Sequence, residues 1–307
     1  MDFESIRITI DKEGVLRLDN QEKIRKYLEA AGMGNCNPAS QPITKSIIAY
    51  IGDHRDEAYG AEQVEQFQRE VGQLRWLADT THPLLAPAAS ILGSFMSSPC
   101  EGCLQATHHA FRWLKGVQDT CLVRDPTDTP GFSASSDADV AGLYTELGEV
   151  RSRTGYWITY NGMPVAWLSK LQSCAATSAQ VLTAEDEEEP VIALSSCEAE
   201  THALSDTVKT LLNIGFGAKE LGIKVKKPIS IAVDAAAAIS FAQGTAKRSR
   251  MKYIDMRQQW VQQLRNKDEI AYTKVAGTDN DADYFTKVHP RPKHLEFEAR
   301  LMKRLPR

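Results

Sequence analysis

The dipeptide Asn161-Gly162 constrains this chain more than any other short feature. It stands between Gly155-Tyr156-Trp157-Ile158-Thr159-Tyr160 and Pro164-Val165-Ala166-Trp167-Leu168, two runs rich in β-branched and aromatic residues. A two-residue hairpin loop needs positive φ at its central positions, which Asn and Gly tolerate best, so the pattern predicts two antiparallel strands joined there. Beyond the hairpin, strands and helices alternate. Helices are expected near 198–221 and over 235–243, with strands at 229–233 and 269–274. A hairpin followed by that alternation predicts a mixed α/β domain.

The N-terminal part follows a different grammar. A short hairpin is expected from Ile6-Arg7-Ile8-Thr9-Ile10 and Val15-Leu16-Arg17-Leu18, and a helix over 21–31 carries Ile24, Tyr27 and Leu28 at helical spacing before Gly32. Residues 35–42 are turn-rich and predict a linker. From 62 to 116 the pattern is helical, with Phe67, Val71, Leu74 and Leu77 on one face, a break at His82-Pro83, and a further helix near 104–114. The stretch 120–131, rich in Asp, Thr and Pro, marks the boundary, giving expected domains of 1–119 and 120–307. Within the second, residues 173–190 carry Glu185-Asp186-Glu187-Glu188-Glu189 and predict a solvated acidic loop.

At 307 residues, 42% hydrophobic and 25% charged, the chain can bury a sizeable core. No apolar run approaches the ~20 residues that span a bilayer, and Met1-Asp2-Phe3-Glu4 does not open like a signal peptide. No membrane partner and an intracellular address are therefore expected. The six cysteines are sparse, which favours reduced thiols. Cys100-x-x-Cys103 with His108 and His109 offers zinc ligand types, but adjacent helical histidines point about 100° apart, so helix-cap and surface roles are preferred. A net charge of −4 gives no global attraction for nucleic acid. A local patch does: Lys247, Arg248, Arg250, Lys252 and Arg257 form a basic cluster suited to backbone phosphates, or else an exposed basic loop with no partner.

Four acids stand where a site can form: Asp137 in Ser136-Asp137-Ala138-Asp139, Glu198 in Ser195-Ser196-Cys197-Glu198-Ala199-Glu200, Asp234 after an apolar strand, and Asp283 at a helix start. Ligand sites in open α/β sheets lie outside the carboxyl ends of strands, where Asp234 falls. Grouped carboxylates repel unless divalent cations hold them, and hard oxygen ligands suit Mg²⁺ or Mn²⁺. Each acid also has a structural reading. Ser195 and Glu198 make a capping box, Asp281 and Asp283 complement a helix dipole, and Asp137 and Asp139 suit a turn. Spacing alone does not choose.

Several ordered motifs carry a resemblance that does. Ser195 to Glu200 with Ala203-Leu204-Ser205 resembles the SSTEAEY-x-ALS signature of copia-type retrotransposon ribonuclease H. Ser136-Asp137-Ala138-Asp139-Val140-Ala141-Gly142 resembles SDADWAG, Arg151-Ser152-Arg153-Thr154-Gly155-Tyr156 resembles RRSTSGY, and Pro164 to Lys170 resembles PVSWSSK. Further on, Asp234 to Ile239 is similar to DNQSAI, Ser249 to Arg257 to SRTKHIDIR, and Asp281 to Lys287 to QLADILTK. Upstream, Val71 to Leu77 and Phe111 to Gly116 look like helices that follow the polymerase palm, and residues 1 to 42 resemble the thumb approach.

The resemblance implies a ribonuclease H-like mixed five-stranded sheet with flanking helices, preceded by a mostly helical thumb/connection-like region. It implies a catalytic, metal-binding quartet at Asp137, Glu198, Asp234 and Asp283, holding two Mg²⁺ ions, or Mn²⁺, that cleave the RNA strand of an RNA–DNA hybrid and leave a 3′-hydroxyl. The chain departs from the family in places. The polymerase palm is absent, Ala235-Ala236-Ala237-Ala238 replaces polar side chains beside Asp234, Tyr253 and Gln259 replace histidines, and Val140 replaces a tryptophan. The other expectation these departures allow is a domesticated, non-catalytic module, kept as a structural or nucleic-acid-binding subunit that meets other proteins through its helical N-terminal region.

Overall fold

A computed structural model describes residues 1–172, 192–244 and 255–305. In chain order the strands and helices are β1 (Asp2–Phe3), β2 (Ile6–Ile10), β3 (Leu16–Asp19), α1 (Gln21–Ala30), α2 (Lys45–Asp53), α3 (Ala61–Thr80), α4 (Ala86–Gly93), α5 (Cys103–Val117) and β4 (Thr120–Arg124). There follow β5 (Phe132–Asp139), α6 (Tyr144–Leu147), β6 (Arg153–Tyr160), β7 (Met163–Leu171), α7 (Ile192–Glu220), β8 (Ile229–Val233), α8 (Ala236–Ala242) and α9 (Asp255–Asn266). The chain closes with β9 (Ile270–Lys274), α10 (Asp283–Thr286), α11 (Arg291–Leu301) and β10 (Lys303–Arg304). Two compact units result, one of residues 1–128, 143–148 and 288–307, the other of 129–142 and 149–287.

In the first unit, the region expected to be mostly helical also carries an antiparallel sheet of order β1-β2-β3-β4-β10. β10 reaches it by pairing Lys303 with Cys121 and Arg304 with Thr120, a contact between distant residues that no local pattern announces. The helices bury Phe67, Leu74, Leu77, Phe111 and Trp113 completely or nearly so. The expected break between α3 and α4 is real: His82 is fully buried and Pro83 opens a 3-10 turn over Pro83–Leu85. α2 has no counterpart among the expected elements. It starts at Thr44, whose side chain accepts the Ile47 amide, and buries Ile48 and Ile51.

The second unit is built on a five-stranded mixed sheet of order β7-β6-β5-β8-β9. Asn161 and Gly162 have φ of 49° and 76°, the left-handed conformations that a tight hairpin between β6 and β7 requires. β5, β6 and β7 pair antiparallel, whereas β8 and β9 join parallel on the other side of β5. The carboxyl ends of β5 and β8 therefore face the same edge. α7 packs against β5 and β6, burying Leu204, Val208 and Leu211 against a core that includes Ile158, Ile231, Val233 and Ile270. Among the described residues, no helix is long and apolar enough to cross a membrane.

Candidate metal centre

The site begins with sheet register. The parallel pairing of β5 with β8 sets Ser136 opposite Val233, so the next residues, Asp137 and Asp234, emerge side by side at the shared carboxyl edge. Asp137 is almost fully buried, and Asp234 is partly so. The third acid comes from α7. Thr207 Oγ1 donates to Ser136 Oγ at 3.1 Å, and Ala199 and Ala203 pack on Ala138, which fixes the rotation of the helix over β5. That rotation carries Glu200 inward. Asp137, Glu200 and Asp234 each offer a carboxylate oxygen within 4.8 Å of the other two, and among the described residues they form the one cluster of this kind.

Glu198, which the motif resemblance implicates, lies two residues earlier and takes a different direction. Its carboxylate is 43% exposed and faces His202 Nε2 at 3.7 Å, one turn along the helix. Residues two apart on a helix are separated by about 200°, so Glu198 and Glu200 cannot both face the sheet. The structure brings Glu200 to Asp137 and Asp234. The signal for it was in the helical phase: Glu200 precedes Ala203, Leu204 and Thr207 by three, four and seven residues, and those three are buried.

Asp283 sits beside this trio without joining it. The segment that carries it is pinned to β5 by Asn280, fully buried, whose Nδ2 donates to the Ser136 carbonyl at 3.0 Å and whose Oδ1 accepts the Ala282 amide at 3.1 Å. α10 then lies over Gly155, the β6 partner of Asp137. A Cβ at Gly155 would stand 2.6 Å from Thr286 Cγ2 and 2.8 Å from the Ala282 carbonyl oxygen, so only glycine admits this approach. The approach places the Thr286 hydroxyl as a donor to Asp137 Oδ2. Lys287 Nζ hydrogen-bonds Asp283 Oδ1 and lies 3.8 Å from Asp137 Oδ2.

Grouping acids at a buried edge has an electrostatic cost that the pKa values record. Burial pushes Glu200 up to about 9, with Asp137 and Asp234 adding repulsion. Burial also pushes Asp137 up to about 6, against the pull of Lys287 and the Thr286 hydrogen bond. For Lys287, burial works against the charge, but Asp137 and Asp283 outweigh it and hold the ammonium above its ordinary value. Glu200 Oε2 is buried and has no hydrogen-bond partner. A buried acceptor left unpaired beside two more carboxylates fits a hard divalent cation better than any donor the chain supplies.

The remaining sequence-derived candidates fall elsewhere. Lys247, Arg248, Arg250 and Lys252 lie outside the described residues, as does the side chain of Arg257 in α9, and so does the acidic segment at 173–190. Cys100 and Cys103 are buried with sulfurs 3.7 Å apart, and burial pushes the Cys103 thiol up to about 12. His108 Nε2 instead faces Glu70 at 3.2 Å, so the zinc-type residues do not converge.

No protein-family profile matches the chain. The retrovirus-related Pol polyprotein from transposon TNT 1-94 of Nicotiana tabacum is 28% identical over 280 residues, which cover 91% of this chain and 19% of that protein. The retrovirus-related Pol polyprotein from transposon RE1 of Arabidopsis thaliana is 26% identical over 288 residues, 93% of this chain and 18% of the polyprotein. A third relative, secreted RxLR effector protein 161 of Plasmopara viticola, is 36% identical over 140 residues, 46% of this chain and 90% of the effector. The chain thus spans about a fifth of the length of the curated polyproteins it matches.

Proposed function

Because the chain belongs to one family with the retrovirus-related Pol polyproteins of transposons and that effector, we propose that its second unit is a copia-type ribonuclease H. It would cleave the RNA strand of RNA–DNA hybrids with divalent metal. The first unit is then the thumb and connection portion of the same polyprotein. The observation that carries this reading is the buried Glu200 carboxylate, one oxygen of which has no hydrogen-bond partner, gathered with Asp137 and Asp234 at the carboxyl edge of the sheet.

Asp137, Glu200 and Asp234 would hold Mg²⁺ or Mn²⁺, with Asp283 as a further acid beside them. Bound there, the metal supplies an activated water and neutralises charge developing on the phosphodiester. The protein's part is placement. Register fixes Asp137 beside Asp234, Thr286 orients Asp137, and Asn280 clamps the α10 segment to β5. The basic residues Lys247, Arg248, Arg250, Lys252 and Arg257 are proposed to take backbone phosphates, with RNA distinguished from DNA through its 2′-hydroxyls.

Cleavage of a labelled hybrid in Mg²⁺ or Mn²⁺ tests the reading. Metal-dependent cutting by the wild type that Asp234→Asn abolishes is the expected result; cutting that persists in Asp234→Asn refutes it. A second reading, a non-catalytic domesticated module, is favoured by Ala235-Ala236-Ala237-Ala238 beside Asp234, which removes polar contacts to a substrate backbone. It predicts hybrid or partner-protein binding with no cutting by either protein.

A further inference from the structure

We propose that Lys287 is a built-in counterion occupying the Asp137–Asp283 side of the centre, so that the substrate-free protein binds one divalent ion strongly and a second only weakly. The inference rests on reading Asp137, Glu200 and Asp234 as metal ligands, and it concerns how many ions that site accepts.

Lys287 immediately follows α10, four residues beyond Asp283. Its Nζ hydrogen-bonds Asp283 Oδ1 and stands 3.8 Å from Asp137 Oδ2, the oxygen that also accepts the Thr286 hydroxyl. The ammonium thus lies between acids from β5 and α10. Asp137 and Asp283 are the acids that would hold a further cation on this side, and the ammonium already hydrogen-bonds one and stands close to the other. Side chains of this type are compact point charges on flexible stems, and Lys287, 41% exposed, has room to withdraw.

Charge counting gives the direction. Asp137, Glu200, Asp234 and Asp283 carry four negative charges when ionised, which the ammonium reduces to three. One divalent ion leaves one negative charge, and a second turns the site positive by one. With the ammonium removed, two divalent ions balance the four acids. Repulsion between a single and a double positive charge about 5 Å apart weakens the second ion about tenfold or more even at the dielectric of water.

Titration of the full chain with Mn²⁺, following free ion by electron paramagnetic resonance, tests the proposal. The wild type is expected to take one ion strongly, and Lys287→Arg to behave alike. Lys287→Met is expected to take two, the second bound at least about tenfold more tightly than in the wild type. Two ions of equal affinity in the wild type overturn the inference without any variant, and an unchanged isotherm in Lys287→Met also overturns it. Asp234→Asn separates the two levels. If it leaves the wild-type isotherm intact, the metal reading itself falls; if it abolishes binding while Lys287→Met changes nothing, only the counterion role falls.

Discussion

Replacing Glu200 by glutamine keeps the side chain's shape and removes its charge, and the effect should differ sharply with pH and metal. In metal-free protein, burial beside Asp137 and Asp234 pushes Glu200 up to about 9, so near neutral pH the wild-type group is already protonated. Glu200→Gln should therefore alter metal-free stability there by no more than about 0.5 kcal/mol. Above the ordinary glutamate value the unfolded chain has released a proton that the folded protein keeps. The Glu200 contribution to wild-type stability should thus fall as pH rises from about 4.5 to about 9, by up to about 1.4 kcal/mol per pH unit, and the difference between wild type and Glu200→Gln should show that slope.

Metal reverses the balance, because a ligand must give up its proton. At about pH 7, two units below its folded value, that release costs about 2.7 kcal/mol, or about a hundredfold in apparent affinity. Mg²⁺ at about a hundred times its dissociation constant stabilises a protein by about 2.7 kcal/mol, a shift of roughly 5–10 °C for a domain of this size. Thermal unfolding followed by circular dichroism should show that shift in the wild type, larger at about pH 8.5 than at about pH 7 for a fixed Mg²⁺ concentration. It should be nearly absent in Glu200→Gln and retained in Glu198→Gln. A full Mg²⁺ shift in Glu200→Gln, or its loss in Glu198→Gln, would refute the assignment of the third ligand.

Other perturbations probe the supports of the site and of the first unit. Gly155→Ala places a Cβ 2.8 Å from the Ala282 carbonyl oxygen and should cost about 1–3 kcal/mol in urea denaturation while weakening Mg²⁺ binding, since α10 must move and take Thr286 from Asp137; an unchanged midpoint would show that the approach is not tight. His82 is fully buried and burial pushes it down to about 4, below its ordinary 6.5. The unfolded chain binds its proton first, so the His82 contribution to stability should rise by about 3 kcal/mol between about pH 4 and pH 6.5 and then level off, a rise that urea midpoints of wild type compared with His82→Gln should show as their difference.

What the sequence disclosed follows the range of the interactions involved. The hairpin at Asn161-Gly162 was legible because its cause is local: two residues that tolerate positive φ between two apolar runs. The strand at Ile229–Val233 was legible for the same reason, as an apolar run ending at an acid. β10 was not, because Lys303 and Arg304 form a strand only by meeting β4, and nothing in their own composition requires it. Lys287 stood within a recognised motif, yet its place beside Asp137 depends on how α10 is clamped by Asn280 and admitted by Gly155. A motif names residues; three-dimensional clamping gives them directions. Ser195 to Glu200 offered two acids, and only the packing of Ala203 and Thr207 selects the one that faces the sheet.

The same packing explains why a site with so much like charge is tolerated without metal. Three local devices reduce it: the proton retained by Glu200, the ammonium of Lys287 and the hydroxyl of Thr286 on Asp137. The hydroxyl and the ammonium meet on Asp137 while the proton sits on Glu200, so their variants should be coupled. Removing the ammonium leaves Asp137 and Asp283 less compensated, which in turn raises repulsion on Glu200 and strengthens its hold on its proton. Lys287→Met should therefore destabilise the metal-free protein more at high pH than at low pH, while Glu200→Gln in the same background should relieve part of that loss. Groups that share a charge balance do not contribute additively, and the size of the departure from additivity measures how closely the four acids and one lysine are coupled.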